Sequence, residues 1–286
     1  MTSIFTTKNI LIVSGIIFLF IAILLISIPN ILKLLGYHPD YMRIDYDLSN
    51  KKALIITTSH DILGKDINDT VGNKTGVYPS ELTIPYYEFL DARMNVDIAS
   101  LEGGEIPLEP QGSRWPLTSH QDNRFFADKD AMSKLNNSLK IDDVNFLDYD
   151  IIFISGGWGA AYDVATSEIL GQKITEANAE NILLGAVCHG SLGFRLAKET
   201  DGKPLVEGKT ITGVTNKQVK ELNIEITPYH PEEELRSLGA NYVSDTRWRD
   251  MFSTYVAKDG NIVTGQNQNS SGETAQALLK LLSEKN

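Results

Sequence analysis

The chain has a single cysteine, Cys188, and few positively charged residues for its size. One cysteine excludes an internal disulfide and any zinc site built from several thiolates. With 26 Lys and Arg against 37 Asp and Glu, the net charge is −11, so the chain lacks the basic surface that nucleic acid requires. A hydrophobic share of 42% is too high for a disordered chain. The 286 residues are about twice the length of a typical domain.

One long apolar run lies near the N-terminus. Residues 10–28 carry no charge, and a helix rising about 1.5 Å per residue would span about 28 Å there, close to the hydrocarbon core of a bilayer. We predict a tail at 1–9 and a retained single-pass membrane anchor at 10–28. A cleaved signal peptide usually has a shorter apolar region, and a buried core helix keeps a polar face. The flanking charges are balanced and leave the orientation of the anchor open.

The rest of the chain alternates between two kinds of pattern. We predict a tether at 29–50 and one α/β domain at 51–286. Short apolar runs predict strands, and amphipathic stretches predict helices. Together they indicate a doubly wound, mostly parallel sheet with helices on both faces. The predicted strands are 53–58, 96–100, 150–155, 182–187, 210–214 and 262–264, and the predicted helices are 79–93, 191–198, 232–238 and 274–282.

Two stretches complicate this pattern. Pro85 lies inside the first predicted helix of the domain and indicates a kink or a later start. Residues 103–148 are polar and lie between two predicted strands. They form either an excursion over the active-site edge or a plain surface insertion.

Cys188 follows directly on a predicted strand. Ala186-Val187-Cys188-His189-Gly190 places small residues on both sides of the cysteine and leads into a predicted helix. This is the strand–turn–helix arrangement of a nucleophile elbow, with sulfur in place of oxygen. The turn would expose the thiol above the sheet, and the helix N-terminus would favour the thiolate. The structural alternative is an inert, buried cysteine.

Two neighbouring features supply candidate partners for this cysteine. His189 could act as a general base or acid, while a turn histidine bonded to backbone is the alternative. Gly156-Gly157-Trp158-Gly159 closes the strand predicted at 150–155. Its unobstructed amides could bind an oxyanion, although paired glycines are also ordinary turn residues. Because sites of parallel sheets lie at the carboxyl ends of the strands, we expect the two turns to meet.

These residues together resemble the DJ-1/PfpI superfamily of the class I glutamine-amidotransferase-like fold, and within it the glyoxalase III and heat-shock chaperone branch. The resemblance covers residues 51–283. It implies a flavodoxin-like fold, a homodimer, a small reactive carbonyl as substrate, and no metal or organic cofactor. The stretches that carry it are ALIITTSHD, PSEL, DYDIIFISGGWGAAYD, GAVCHGSLGF and GKTITGVTN.

The resemblance also assigns catalytic roles. Cys188 matches the family nucleophile, His189 the catalytic histidine, and Glu81 the buried glutamate that contacts the cysteine. Burial would drive the Glu81 carboxyl toward its protonated form, which can donate to the thiolate and move a proton on the substrate. The alternative for Glu81 is capping of the helix start, where carboxylates are favoured.

The resemblance further implies that an oxyanion is held by backbone amides of Gly156, Gly157 and the turn at Gly190. The chain departs from the family pattern at two places. Family members commonly have GGHG where this chain has a tryptophan, so Trp158 would narrow or cover the pocket. The acidic residue that orients the histidine in the glyoxalase branch is missing after Thr215, and the remaining candidates are Asp163, Glu221 and Asp245.

Two other classes of function stay open. A glutaminase would combine the elbow cysteine with an H-x-E motif such as His230-Pro231-Glu232, although proline followed by glutamates also predicts a helix start. A non-enzymatic chaperone or thiol redox sensor would use an accessible thiol of low pKa. The leading prediction is a membrane-anchored cysteine enzyme of the glyoxalase III type, which converts a 2-oxoaldehyde to a 2-hydroxy acid.

Overall fold

The computed structural model describes residues 7–285 and divides the chain into two units, Met1–Pro39 and Asp40–Asn286. The first unit contains helix α1, Thr7–Leu35, whose 29 residues extend past the predicted anchor on both sides. Within it, Leu11–Ile28 has a mean hydropathy of 3.1 and is not buried. The helix is long and apolar enough to cross a membrane, a property that it would share with a signal sequence. Residues 1–6 of the predicted tail lie outside the described residues.

The second unit alternates strands with helices. Its helices are α2 Pro79–Asp91, α3 His120–Ala127, α4 Lys129–Asn136, α5 Asp163–Thr166, α6 Glu168–Ala179, α7 Asn216–Leu222, α8 Pro231–Ser237 and α9 Ser271–Glu284. Its strands are β1 Lys52–Thr57, β2 Ile62–Leu63, β3 Asn73–Lys74, β4 Asn95–Ser100, β5 Leu139–Lys140, β6 Ile151–Ile154, β7 Leu183–Val187, β8 Thr210–Ile211, β9 Asn241–Tyr242, β10 Val256–Asp259 and β11 Ile262–Gly265.

The main sheet has seven strands in the order β10-β11-β7-β6-β1-β4-β5. All neighbouring strands run parallel except β10, which pairs antiparallel with β11. This order confirms the doubly wound, flavodoxin-like fold.

Each face of the sheet is covered by its own apolar layer. Along β1, Ala53 and Ile55 belong to one buried cluster, and Leu54 and Ile56 to the other. All four side chains are fully buried. Burial on both faces explains why this strand is apolar at every position instead of alternating. Each of the larger side chains contributes about 1.5–3 kcal/mol to the stability of the fold.

The pairing of β6 with β7 positions the two predicted turns. The strands are parallel neighbours, with Ile154 opposite Ala186. The chain leaves β6 into Gly156-Gly157 and leaves β7 into Cys188. The glycine turn and the cysteine therefore meet at one edge of the sheet, as the sequence predicted.

Three local predictions were wrong or incomplete. The strand predicted at 210–214 does not join the main sheet, because β8 forms a separate two-stranded sheet with β9. The helix predicted at 191–198 is a short 3-10 helix over Cys188–Phe194, since the tight turn at the cysteine runs directly into it. Helix α2 starts at Pro79 and contains Pro85 without ending there.

Residues 103–148 contribute to both the core and the site. Phe125 on α3 and Leu135 on α4 are buried in the apolar cluster that also contains Ile55, and β5 extends the main sheet at its edge. Gln111 and Leu117 line the cleft at Cys188. The stretch is therefore not a plain surface insertion.

The end of the predicted tether is bound to α2 and α9. The Tyr41 hydroxyl donates to the Glu88 carboxylate at 2.7 Å, and Arg43 forms an ion pair with the same carboxylate. The amide of Ile44 donates to Gln276 at 3.0 Å. Residues 41–44 are thus fixed to the domain, although the sequence placed them in the tether.

Candidate active site

Cys188 occupies a strained backbone position at the end of β7. Its φ is +58°, a region that residues other than glycine rarely adopt. The turn is held by the Ser191 hydroxyl, which donates to the Cys188 carbonyl at 2.9 Å. A Cβ at Gly190 would lie 2.3 Å from the carbonyl oxygen of Ile154, so only glycine fits there. The predicted nucleophile elbow is therefore present in its geometry.

The glycine turn after β6 packs against the cysteine. Gly157 has a φ of +98°, and a Cβ on it would lie 2.3 Å from the carbonyl oxygen of Gly76. A Cβ on Gly156 would lie 2.9 Å from the Cβ of Cys188 and 2.4 Å from a carboxylate oxygen of Glu81. Both glycines are thus required by close approach, and they bring their backbone to the sulfur and the carboxylate.

Glu81 lies in the first turn of α2 and is fully buried. Among the described residues, neither of its carboxylate oxygens has a partner with hydrogen-bond geometry, which excludes helix capping as its role. Burial raises the pKa of Glu81 from 4.5 to about 8. The Cys188 thiol and the amides of Gly156 and Gly157 lie close enough to counter part of this rise. The carboxyl thus changes protonation near neutral pH.

The Cys188 thiol differs from the prediction. The strand–turn–helix pattern predicted a thiolate favoured by a helix N-terminus. Instead the side chain is only 5% exposed, and burial raises the pKa of the Cys188 thiol well above its usual range, with the charge of Glu81 acting in the same direction. The amides of His189 and Gly157 act in the opposite direction. The resting cysteine is a thiol.

The imidazole ring of His189 lies beside the sulfur of Cys188. Its Nδ1 lies 3.6 Å from the Cys188 sulfur, and the ring is completely buried. Burial lowers the pKa of His189 from 6.5 to about 3, and the nearby His230 adds to this effect. A neutral imidazole beside a thiol can accept its proton.

The three carboxylates proposed to orient His189 are engaged elsewhere. Asp163 accepts hydrogen bonds from the Thr58 hydroxyl and the Ser59 amide. Glu221 accepts from the Asp250 amide, and Asp245 from the Thr246 amide. Within the described part of the chain, Nε2 of His189 has no hydrogen-bond partner. The ring is therefore held by packing and not by a carboxylate.

A cleft with an open volume of about 470 Å³ surrounds these groups. It brings together Glu81, Gly157, Trp158, Cys188 and His189. Trp158 is 6% exposed and forms part of the wall of the cleft. Gly190 is not part of the lining, and its role in the structure is to allow the close approach to Ile154.

Sequence reasoning missed several cleft residues. Tyr78 precedes α2, and Gln218 lies on α7 next to the position where the acidic residue was sought. Gln218 is buried and Tyr78 is partly buried, and neither belongs to a recognisable motif. The only sequence signals for these two cleft residues were that Tyr78 lies shortly before Glu81 and that Gln218 lies shortly after Thr215. The other missed lining residues are Val214, Leu222, Met251 and Gln268.

Among residues 7–285, no three His, Cys, Asp or Glu side chains come together in a way that could hold a metal ion.

A model of the DJ-1/PfpI family matches residues 73–281. The chain belongs to the DJ-1/PfpI family. Two DJ-1/PfpI relatives illustrate the match over nearly their full length. The glutathione-independent glyoxalase HSP31 of Saccharomyces cerevisiae is 32% identical over 237 residues, which cover 80% of this chain and 96% of the relative. Glyoxalase 3 of Candida albicans is 29% identical over 239 residues, which cover 80% of this chain and 97% of the relative.

Two solved structures share the fold. Rapid Encystment Protein 24 KDa of Francisella tularensis has a TM-score of 0.74 at 33% identity, covering 81% of this chain and 99% of that one. Glyoxalase III of Candida albicans has a TM-score of 0.69 at 25% identity, covering 81% and 97% of the two chains.

The His230-Pro231-Glu232 motif, which a glutaminase would use together with the cysteine, has a structural role in this DJ-1/PfpI domain. Pro231 is the first residue of α8 and His230 precedes it, as the helix-start interpretation predicted. The Glu232 carboxylate accepts from the Asn216 amide at 2.9 Å and pairs with Arg236. The carboxylate of this motif thus links α8 to the start of α7.

Proposed function

We propose that this protein is a glyoxalase III-type enzyme that converts a 2-oxoaldehyde to a 2-hydroxy acid without glutathione. The names of the curated relatives, glutathione-independent glyoxalases, support this reaction. The observation that carries it is the arrangement in one cleft of Cys188 on its strained turn, His189 Nδ1 at 3.6 Å from the sulfur, and the buried Glu81.

The first proposed step forms a hemithioacetal. The Cys188 sulfur bonds to the aldehyde carbon while Nδ1 of His189 takes the thiol proton and passes it to the aldehyde oxygen. Because burial lowers the pKa of His189 to about 3, the ring is neutral at physiological pH and is a weak base, so it takes the proton in concert with the attack of the sulfur on the aldehyde. The amides of Gly157 and His189, which already face the sulfur, would stabilise the oxygen as charge develops on it.

The second proposed step moves a proton between the two carbons. Glu81 takes the proton from the carbon bonded to sulfur while the neighbouring carbonyl oxygen gains a proton, which gives an enediol. Glu81 then delivers its proton to the neighbouring carbon, and the hydroxyl on the sulfur-bearing carbon loses its proton to become the carbonyl of a 2-hydroxy acid thioester. A carboxyl with a pKa of about 8 exchanges protons readily in both directions near neutral pH. Water then attacks the thioester, the carbon–sulfur bond breaks, and the proton returns to the thiol.

This proposal predicts lactate formation from methylglyoxal by the purified protein, in the absence of glutathione and in the presence of a chelator. The reaction needs only water as co-substrate, so we expect lactate in a one-to-one ratio to the methylglyoxal consumed. Enzymatic lactate determination and loss of the dicarbonyl measure the two sides of that ratio. Consumption of methylglyoxal without lactate, as from simple trapping by side chains, would contradict the proposal.

The structure does not favour the redox-sensor alternative. That reading depends on an accessible thiol of low pKa. Cys188 is 5% exposed, and the pKa of its thiol is raised. Direct oxidation in the resting state would therefore be slow.

We also propose that α1 anchors the protein in a membrane as a retained single-pass helix. Its large apolar side chains are exposed to a degree that water does not favour: Phe18 is 75% and Ile26 77% exposed. A bilayer would cover this surface.

The anchor predicts that the full-length chain stays in the membrane pellet after carbonate extraction at high pH. Replacing Leu19, near the middle of the apolar stretch, by arginine costs about 2.5–3.5 kcal/mol of insertion energy. The double variant, which carries Ile23→Arg as well as the replacement of Leu19, should be released mostly into the supernatant. Leu34→Arg, outside the stretch Leu11–Ile28, is the matched control and should stay in the pellet. A mature chain that lacks residues 1–28 by mass spectrometry would instead show a cleaved signal peptide.

A further inference from the structure

A second cavity adjoins the catalytic cleft, and we call it the outer vestibule. It has an open volume of about 840 Å³, larger than the cleft itself. Gln111, Trp158 and Leu222 line both spaces, so the two spaces border each other at these side chains. A molecule whose reactive end lies at Cys188 would have to extend between these side chains to reach the outer vestibule. The proposed reaction on methylglyoxal leaves this space unused.

The chemistry of the outer vestibule differs from that of the cleft. Its lining presents hydrogen-bonding side chains from Asn73, Glu109, Arg114 and Asn223, with apolar contacts from Leu63 and Ile224. The cleft around Cys188 instead has Leu117, Val214 and Met251 among its lining residues. A ligand suited to both spaces would have a small, compact reactive end and a tail rich in polar groups.

Glu109 is the most firmly held polar group of the outer vestibule. It is 1% exposed, and its carboxylate accepts from the Thr75 hydroxyl at 2.8 Å and from the Gln111 amide at 3.1 Å. A carboxylate has room for about four hydrogen bonds, so it can accept more from a ligand hydroxyl. Because its position is fixed before binding, little conformational freedom would be lost.

The charges of the outer vestibule argue against an anionic tail. Lys74 is paired with Asp61 at 2.5 Å. Burial raises the pKa of the Glu109 carboxyl, and Arg114 lies near enough to counter part of this rise. Each cation is therefore balanced by a carboxylate. A phosphate or carboxylate on the ligand would meet Glu109 without a surplus of positive charge. Neutral hydroxyl groups can both donate to carboxylates and accept from amides and guanidinium groups.

We infer that the outer vestibule binds the hydroxylated tail of a sugar-derived 2-oxoaldehyde, whose dicarbonyl end reacts at Cys188. This inference rests on the proposed function and names the substrate class of the same site. The chemistry balances as before, because R-CO-CHO and water give R-CHOH-COOH whatever the tail R. The product would be a sugar acid instead of lactate.

The test compares two substrates, methylglyoxal and 3-deoxyglucosone, in three full-length proteins. Asn73→Trp fills the outer vestibule from β3, where Asn73 is exposed and lies outside the catalytic cleft. Asn241→Trp places the same bulk at an exposed asparagine that begins β9, away from both spaces. We expect Asn73→Trp to raise KM for 3-deoxyglucosone about tenfold and to leave kcat and KM for methylglyoxal unchanged. Asn241→Trp should change neither substrate.

The results separate the inference from the proposed function. Normal turnover of methylglyoxal with an equal KM for 3-deoxyglucosone in wild type and Asn73→Trp overturns the inference alone. If the wild type turns over neither substrate, the proposed function falls. Calorimetric binding of 3-deoxygluconic acid, the expected product, then decides the inference independently. Binding that weakens in Asn73→Trp but not in Asn241→Trp supports a sugar-binding vestibule, and equal binding in all three proteins overturns it.

Discussion

Replacing Cys188 by alanine is expected to abolish glyoxalase activity, with a fall in kcat/KM of at least about a thousandfold. In the proposed reaction the sulfur forms the bond to the aldehyde carbon, and no other described side chain in the cleft is a thiol. His189 and Glu81 cannot substitute, since His189 acts on the proton of the thiol itself and Glu81 on a proton that becomes mobile only after this bond has formed. Steady-state lactate formation from methylglyoxal measures the loss.

Cys188→Ser is the matched variant, because it keeps the shape and a hydroxyl in place of the thiol. We expect it to be nearly as inactive, since a serine hydroxyl is a much weaker nucleophile without a stronger base. Both variants should unfold within a few degrees of the wild type, because the side chain at 188 makes few polar contacts beyond His189. Residual turnover within about tenfold of wild type in both folded variants would remove the cysteine from the mechanism.

The elbow and its glycine turn could be predicted from sequence because they follow from chain order and strand pairing. An apolar strand that runs directly into Val187-Cys188-His189 places the sulfur at the carboxyl end of β7. The similar strand β6 ends at Ile154, just before Gly156, and parallel neighbours bring their carboxyl ends to one edge. Glu81 was found only through the family resemblance, since a carboxylate after Pro79 and Ser80 equally fits a helix start.

Burial around the site could not be predicted in the same way. The sequence favoured a thiolate at Cys188, whereas the structure surrounds the sulfur with α2, the Gly156-Gly157 turn and His189. The desolvation that raises the pKa of Cys188 and lowers that of His189 depends on packing between distant segments. The short 3-10 helix that begins at the cysteine also depends on packing between distant segments, because Gly190 and Gly193 pack directly onto Ile154.

Replacing Glu81 by glutamine is expected to lower activity and raise stability at the same time. The amide cannot exchange the proton between the two carbons, so we expect kcat to fall about 100- to 10,000-fold. The carboxyl is fully buried without a hydrogen bond of proper geometry among the described residues, so its ionised form weakens the fold. Lactate assays and thermal unfolding of the same preparations measure the two effects.

The gain in stability should depend on pH in a defined direction. Glu81 has a pKa of about 8 in the folded protein against 4.5 for an unperturbed carboxyl, so the folded state holds a proton that the unfolded state releases. Between these two values the contribution of Glu81 to stability falls as pH rises, by about 3 kcal/mol at pH 7. Glu81→Gln lacks this loss. Its stability should match that of the wild type near pH 4.5 and exceed it increasingly up to pH 8.

Glu88→Gln is the matched control on the same helix. Glu88 is also buried, at 2% exposed, but its carboxylate is bonded to Tyr41, Arg43 and Gln276. Its replacement should therefore destabilise the domain by about 1–3 kcal/mol and leave kcat close to wild type, because it lies outside the catalytic cleft. Replacing two carboxylates of α2 by amides would then change the stability of the domain in opposite directions. If Glu81→Gln loses stability at pH 8 as Glu88→Gln does, the Glu81 carboxyl has partners that offset its burial, and its role as a proton carrier of raised pKa is wrong.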